Sequence, residues 1–79
     1  MGNLPNLKPR EIERILLRAG FGVDTKRGSH RTYYNPETDC HATIAFHPGT
    51  IPQGTLRGII KQTGMGVEEF LLLRRKRKR

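Results

Sequence analysis

The chain has no tryptophan, a single cysteine, and aromatic residues at only 6% of its 79 positions. One cysteine excludes an intrachain disulfide and the paired cysteines of zinc ribbons and knuckles, which fits a reducing compartment. Apolar runs last only a few residues, far short of the ~20 needed to span a bilayer as a helix. Met1 is followed by Gly2, Asn3 and Leu4 rather than by an apolar stretch, so no signal peptide is expected. These absences lead to the expectation of a cytoplasmic protein with no membrane partner. A domain this small buries about 60–65% of the surface its unfolded chain exposes, so its core is thin. A deep enzyme pocket has no room to form. Any chemistry is expected on a surface and to use few residues.

Acidic residues are also scarce: 7 stand against 15 lysines and arginines, for a net charge of +8. A surplus of that size points to a polyanionic partner. Six of the positive charges, however, are Arg74, Arg75, Lys76, Arg77, Lys78 and Arg79, leaving nine positive against seven negative, a net of +2, in residues 1–73. The chain therefore divides into one domain over residues 1–73 and a basic tail over residues 74–79. The case for nucleic acid rests on where the body's charges lie.

The polar–apolar pattern predicts an α+β domain. Pro9 suits a first helical turn, where its missing N–H costs nothing. Ile12, Ile15, Leu16 and Ala19 then recur at the spacing of one helix face, and Gly20 is placed to end the helix. Phe21, Val23 and Thr25 alternate with polar residues and glycine, the period of a half-buried strand. Thr32, Tyr33 and Tyr34 favour a second strand. The run Asn35-Pro36-Glu37-Thr38-Asp39 is a turn by composition. Ala42, Ile44 and Phe46 alternate through a third strand. Leu56, Ile59, Ile60 and Thr63 return to helical spacing, with Gly64 as a stop, and a short third helix begins near Val67. Short connections imply an antiparallel meander. The expected order is αβββα with a short C-terminal helix, a three-stranded antiparallel sheet backed on one face by the two main helices.

One local string looks chemical: Lys26-Arg27-Gly28-Ser29-His30-Arg31. Cleaving RNA through its own 2′-hydroxyl needs a group that moves a proton near neutral pH and cations beside the phosphate. Histidine suits the first task, and Lys26, Arg27 and Arg31 suit the second. Gly28 would let a phosphate approach the backbone, and Ser29 offers a hydrogen bond. Taken bare, the same string reads first as a hairpin turn at Gly28-Ser29 followed by an exposed strand histidine, because a histidine among basic residues is common.

Other elements extend the pattern. Arg27-Gly28-Ser29-His30 and Tyr33 follow a helix ending in Arg18-Ala19-Gly20-Phe21. After them come His47, then Gly54-Thr55-Leu56-Arg57, Ile60-Lys61-Gln62 and Gly64, then Val67-Glu68-Glu69-Phe70. Over roughly residues 8–72 this order and spacing resembles the HicA toxin family. The resemblance implies a fold like that of double-stranded-RNA-binding domains and an endoribonuclease that inhibits translation by cleaving mRNA. It also implies a HicB-like antitoxin as partner and, by position, His30 as the catalytic residue. Lys26, Arg27, Gly28, Ser29 and Arg31 become the expected substrate-binding set. No cofactor or metal is expected.

The remaining candidates keep two readings each. His47 is a second proton-transfer group or a plain strand-end histidine. His30, His41, His47 and Cys40 have the right donor types for zinc, but nothing in their spacing supports a site. Tyr33 and Tyr34 must face opposite sides of a sheet. Alternation alone allows either register; the one expected puts Tyr33 in the core and His30 with Tyr34 on the open face, where Tyr34 offers a ring for base stacking. Arg31 then points toward the helices and must snorkel outward at the sheet margin. Arg57 and Lys61, four apart on the second main helix, are phosphate contacts or a solvated face. A non-catalytic RNA-binding module of the same fold, using Lys26, Arg27, Arg31, Arg57 and Lys61, is the alternative to the enzyme. A small protein whose sheet only docks a partner is a third.

Overall fold

A computed structural model describes residues 4–75. Its elements run α1 (Pro9–Arg18), β1 (Gly22–Arg27), β2 (His30–Asn35), β3 (Cys40–Ala45), α2 (Gln53–Thr63) and α3 (Val67–Arg75). The strands form one antiparallel sheet in the order β1-β2-β3.

Pro9 opens α1, and the Glu11 carboxylate accepts the Lys8 backbone N–H at 2.8 Å. This satisfies a donor at the helix entry and sets a negative charge near the positive end of the helix dipole. At the other end Gly20 has φ +103. Its N–H reaches the Leu17 carbonyl while the Phe21 N–H reaches Leu16, the paired bonds of a Schellman stop. The chain thus turns sharply out of α1 and delivers Phe21 to the core.

Ile12, Ile15 and Leu16 of α1, Leu56, Ile59 and Ile60 of α2, and Tyr33, Ala42 and Ile44 of the sheet are all buried. Both main helices therefore cover one sheet face, the one carrying Tyr33, which settles the register that alternation alone left open. Gln62 of α2 accepts the Thr43 backbone N–H at 3.1 Å, pairing a donor on the outer edge of β3. The core also recruits residues outside the expected elements. Leu4 and Leu7 are buried, and Leu4 exchanges two hydrogen bonds with the Gln53 side chain, at 3.0 and 2.8 Å. Phe70 is the buried residue of α3. Arg18 secures that helix by donating to the Leu73 and Arg74 carbonyls at 2.7 and 3.4 Å.

One expectation needs adjustment. All six residues of β1 are exposed, although Phe21, Val23 and Thr25 read as one buried face. A bulge at Asp24 is the cause: Val23 pairs with Tyr33, but Thr25 pairs with Thr32, so Val23 and Thr25 lie on opposite faces. The edge position of β1 leaves both faces open. At the C-terminus α3 runs through Arg75, two residues into the segment read as a tail, and residues 76–79 lie outside the described residues. Among the described residues no helix is long and apolar enough to cross a membrane.

Tyr33 yields a stability prediction. Its ring is fully buried and its hydroxyl donates to the Glu13 carboxylate at 2.6 Å. Burial, then the Glu13 carboxylate, pushes the phenol well above its ordinary 10.0. The folded state holds this proton after the unfolded chain has released it. Stability from the group is therefore complete below pH ~10 and is lost as pH rises beyond it. Alkaline absorbance titration should show one of the two tyrosines ionising in the folded protein and the other only on unfolding. Tyr33→Phe should flatten the alkaline fall in stability. Two tyrosines that ionise together in the folded state would contradict the burial of Tyr33.

Candidate active site

The chemical string forms the β1–β2 hairpin. Arg27 pairs with His30, so only Gly28 and Ser29 make the turn. Gly28 has φ +57, the positive value that a two-residue hairpin of type II′ asks of its first position. A side chain there would meet open space, with nothing within 4 Å. Backbone conformation, and not crowding, accounts for the glycine, and the turn is left open to a ligand.

Directly opposed residues share a sheet face. Arg27, His30 and Ala45 form one row of the open face, and Thr25, Thr32 and Thr43 form the next. The Thr32 and Thr43 hydroxyls meet at 3.4 Å. Tyr34 and His41 follow, their rings 4.6 Å apart. The expected register holds: Tyr33 is inward, with His30 and Tyr34 outward. The two ends of this face differ in charge. Arg27 and His30 mark the hairpin end. At the other end Tyr34 donates to Asp39 at 3.0 Å. That bond, then burial, then the charges of Asp39 and Asp24 raise the Tyr34 phenol above its ordinary value. An anion is favoured at the hairpin end.

His47 joins His30. The Phe46 N–H bonds the Ser29 carbonyl at 2.6 Å, tying the chain beyond β3 to the hairpin turn. Phe46 faces the helical side, so the next residue turns to the open face. The His30 and His47 rings are 6.4 Å apart, nearly perpendicular, and both residues are exposed.

Other candidates are not in this group. Arg31 lies on the helical side, as its register requires, with its guanidinium paired to Glu13 at 3.1 Å and lying 4.1 Å from the Phe46 ring centre. It is committed to the fold, and the expected phosphate contact from Arg31 is not brought to His30. Lys26 pairs with Arg31 and so starts from the same side, although it is exposed at the sheet edge. Arg57 and Lys61 are exposed on α2, in the helical layer. His41 is four strand positions from the His30 row, roughly 13 Å. Cys40, by alternation, faces away from His41. Among the described residues no three histidines, cysteines or carboxylates are grouped to hold a metal ion.

Comparison with known proteins adds one match. The family model described as the HicA toxin of bacterial toxin–antitoxin systems matches residues 9–65. No curated protein matches the chain. The matched segment runs from the start of α1 to just past α2 and contains Arg27, Gly28, Ser29, His30 and His47.

Proposed function

The chain belongs to the HicA toxin family, and from that premise we propose that it cleaves mRNA as a metal-independent endoribonuclease with His30 as a proton-transfer residue. Family membership carries a toxin role and an antitoxin partner. A HicB-like protein is the antitoxin in this reading, and its release exposes translation to the toxin.

The observation that carries the proposal is the exposed pair of Arg27 and His30 across a glycine turn. His30 takes the proton of a ribose 2′-hydroxyl, and that oxygen attacks the adjacent phosphorus. The bond from phosphorus to the 5′-oxygen breaks and that oxygen takes up a proton, giving a 2′,3′-cyclic phosphate and a free 5′-hydroxyl. Charge accumulates on the phosphoryl oxygens in this step, and the Arg27 guanidinium stands beside it. The Gly28–Ser29 backbone and the Ser29 hydroxyl hold the phosphate, and Lys26 adds longer-range attraction at the sheet edge. Arg31 acts indirectly, by fixing Phe46 and hence the chain that follows it.

Purified protein should therefore cut single-stranded mRNA in the presence of EDTA and leave DNA of the same sequence intact, because DNA lacks the 2′-hydroxyl. Fragment ends should be 2′,3′-cyclic or 3′-phosphates. Activity abolished by EDTA and restored by a divalent ion would reject the mechanism. Tight RNA binding with no cleavage would instead support a non-catalytic RNA-binding module.

A further inference from the structure

Transesterification of RNA moves two protons. One leaves the attacking 2′-hydroxyl, and one must reach the departing 5′-oxygen. A single imidazole serving both would have to reach opposite sides of the phosphorus. The open face offers a second imidazole at His47, 6.4 Å from His30 between ring centres. Each ring needs to approach its oxygen to about 3 Å, so one phosphodiester seated over the pair is within reach of both.

We propose that His47 is the second catalytic proton-transfer residue, working in the protonation state opposite to that of His30. The inference rests on the ribonuclease reading of the site. One ring, neutral, accepts the 2′-hydroxyl proton. The other, as imidazolium, donates its proton to the 5′-oxygen as the phosphorus–oxygen bond breaks. The products are the cyclic phosphate and the 5′-hydroxyl, and the rings exchange protons with water to reset.

The position of His47 is built into the fold. The Phe46 N–H is anchored on Ser29, and the Phe46 ring lies under the Arg31 guanidinium, which Glu13 holds from α1. The charged groups around the pair are Arg27 on β1, opposite His30, and Arg31 with its partner Glu13 on the far face of the sheet. Lys26 flanks them at the β1 edge. The side chain of His47 is exposed, so replacing it leaves the anchor at Phe46 in place.

The test is the pH dependence of kcat/KM on a short RNA in EDTA, for the wild-type protein, His47→Asn and His47→Gln. Wild type should give a bell with two limbs, because one group must be neutral and the other charged. Both variants should fold, cleave about 10²–10⁴-fold more slowly, and lose one limb. Two limbs persisting in both variants would overturn the assignment, whatever the drop in rate, since a structural role lowers the rate without removing a titration. A single-limbed wild-type profile would also overturn it. If wild type fails to cleave RNA at all, the ribonuclease reading falls and His47 with it; if wild type cleaves and only the limb test fails, the reading of His30 stands.

Discussion

His30→Ala should leave a folded protein with almost no ribonuclease activity. The residue is exposed and opens β2, and among the described residues its ring has His47 as its aromatic neighbour. Its backbone pairing with Arg27 and Ala45 does not depend on the side chain. Exposed substitutions of this kind change stability by about 0.5 kcal/mol or less. Loss of a general acid–base group costs ~10²–10⁴ in rate, or roughly 3–5.5 kcal/mol of barrier at 1.36 kcal/mol per decade. The two effects differ several-fold, so one substitution separates chemistry from folding. Single-turnover cleavage and a thermal melt on the same sample measure both. A folded variant that cleaves within a few-fold of wild type would remove His30 from the mechanism. In cells the variant should no longer arrest growth when produced without its antitoxin.

Local rules governed most of the architecture, so most of it could be read from the residues. Pro9 and Gly20 bracket α1, Gly64 ends α2 with φ +80, and the strand alternation puts Tyr33 and Tyr34 on opposite faces. What escaped was non-local or broke a period. The bulge at Asp24 inserts one residue into β1 and reverses the faces of everything after it. No composition signal marks it, because Val23, Asp24 and Thr25 read as ordinary alternation. Leu4 and Leu7 were invisible as core residues, since two leucines flanking Pro5 and Asn6 have neither helical nor strand period. Leu4 is tied to the Gln53 side chain and the Leu7 carbonyl accepts the Ile51 N–H, both partners lying far along the chain.

The site shows the same division. His30 and the glycine turn were legible as a candidate site because the residues proposed to act are contiguous in sequence. The commitment of Arg31 was only half legible. Alternation puts it on the same face as Tyr33, but its partner Glu13 lies on α1, 18 residues earlier. The helical spacing of Ile12, Ile15 and Leu16 says only that Glu13 sits beside the apolar stripe. Nor does the sequence bring His47 to His30. That approach needs the β2–β3 register together with the Ser29–Phe46 bond, and both are products of the folded sheet.

Phe70→Ala should produce the reverse of the His30 phenotype: a severe loss of stability with the chemistry left in place. Phe70 is fully buried and is the buried residue of α3, a helix that lies beyond the residues 9–65 matched by the family. Removing a buried phenylalanine ring costs about 3–5 kcal/mol through lost transfer energy and the cavity left behind. A chain of 79 residues has a total stability of only about 4–12 kcal/mol. The loss is therefore a large share of the whole. With each kcal/mol worth about 4–8 °C in a domain of this size, the melting temperature should fall by on the order of 20 °C. The Arg18 bonds to Leu73 and Arg74 cannot compensate, because they are exposed and net hydrogen bonds contribute about 1 kcal/mol each. The Arg27, His30 and His47 surface lies on the opposite face of the sheet from the helices. At a temperature where the variant is folded, it should still cleave RNA at close to the wild-type rate. A drop of only a few degrees would show that α3 is dispensable to the core. A folded variant with no activity would show that α3 reaches the active site.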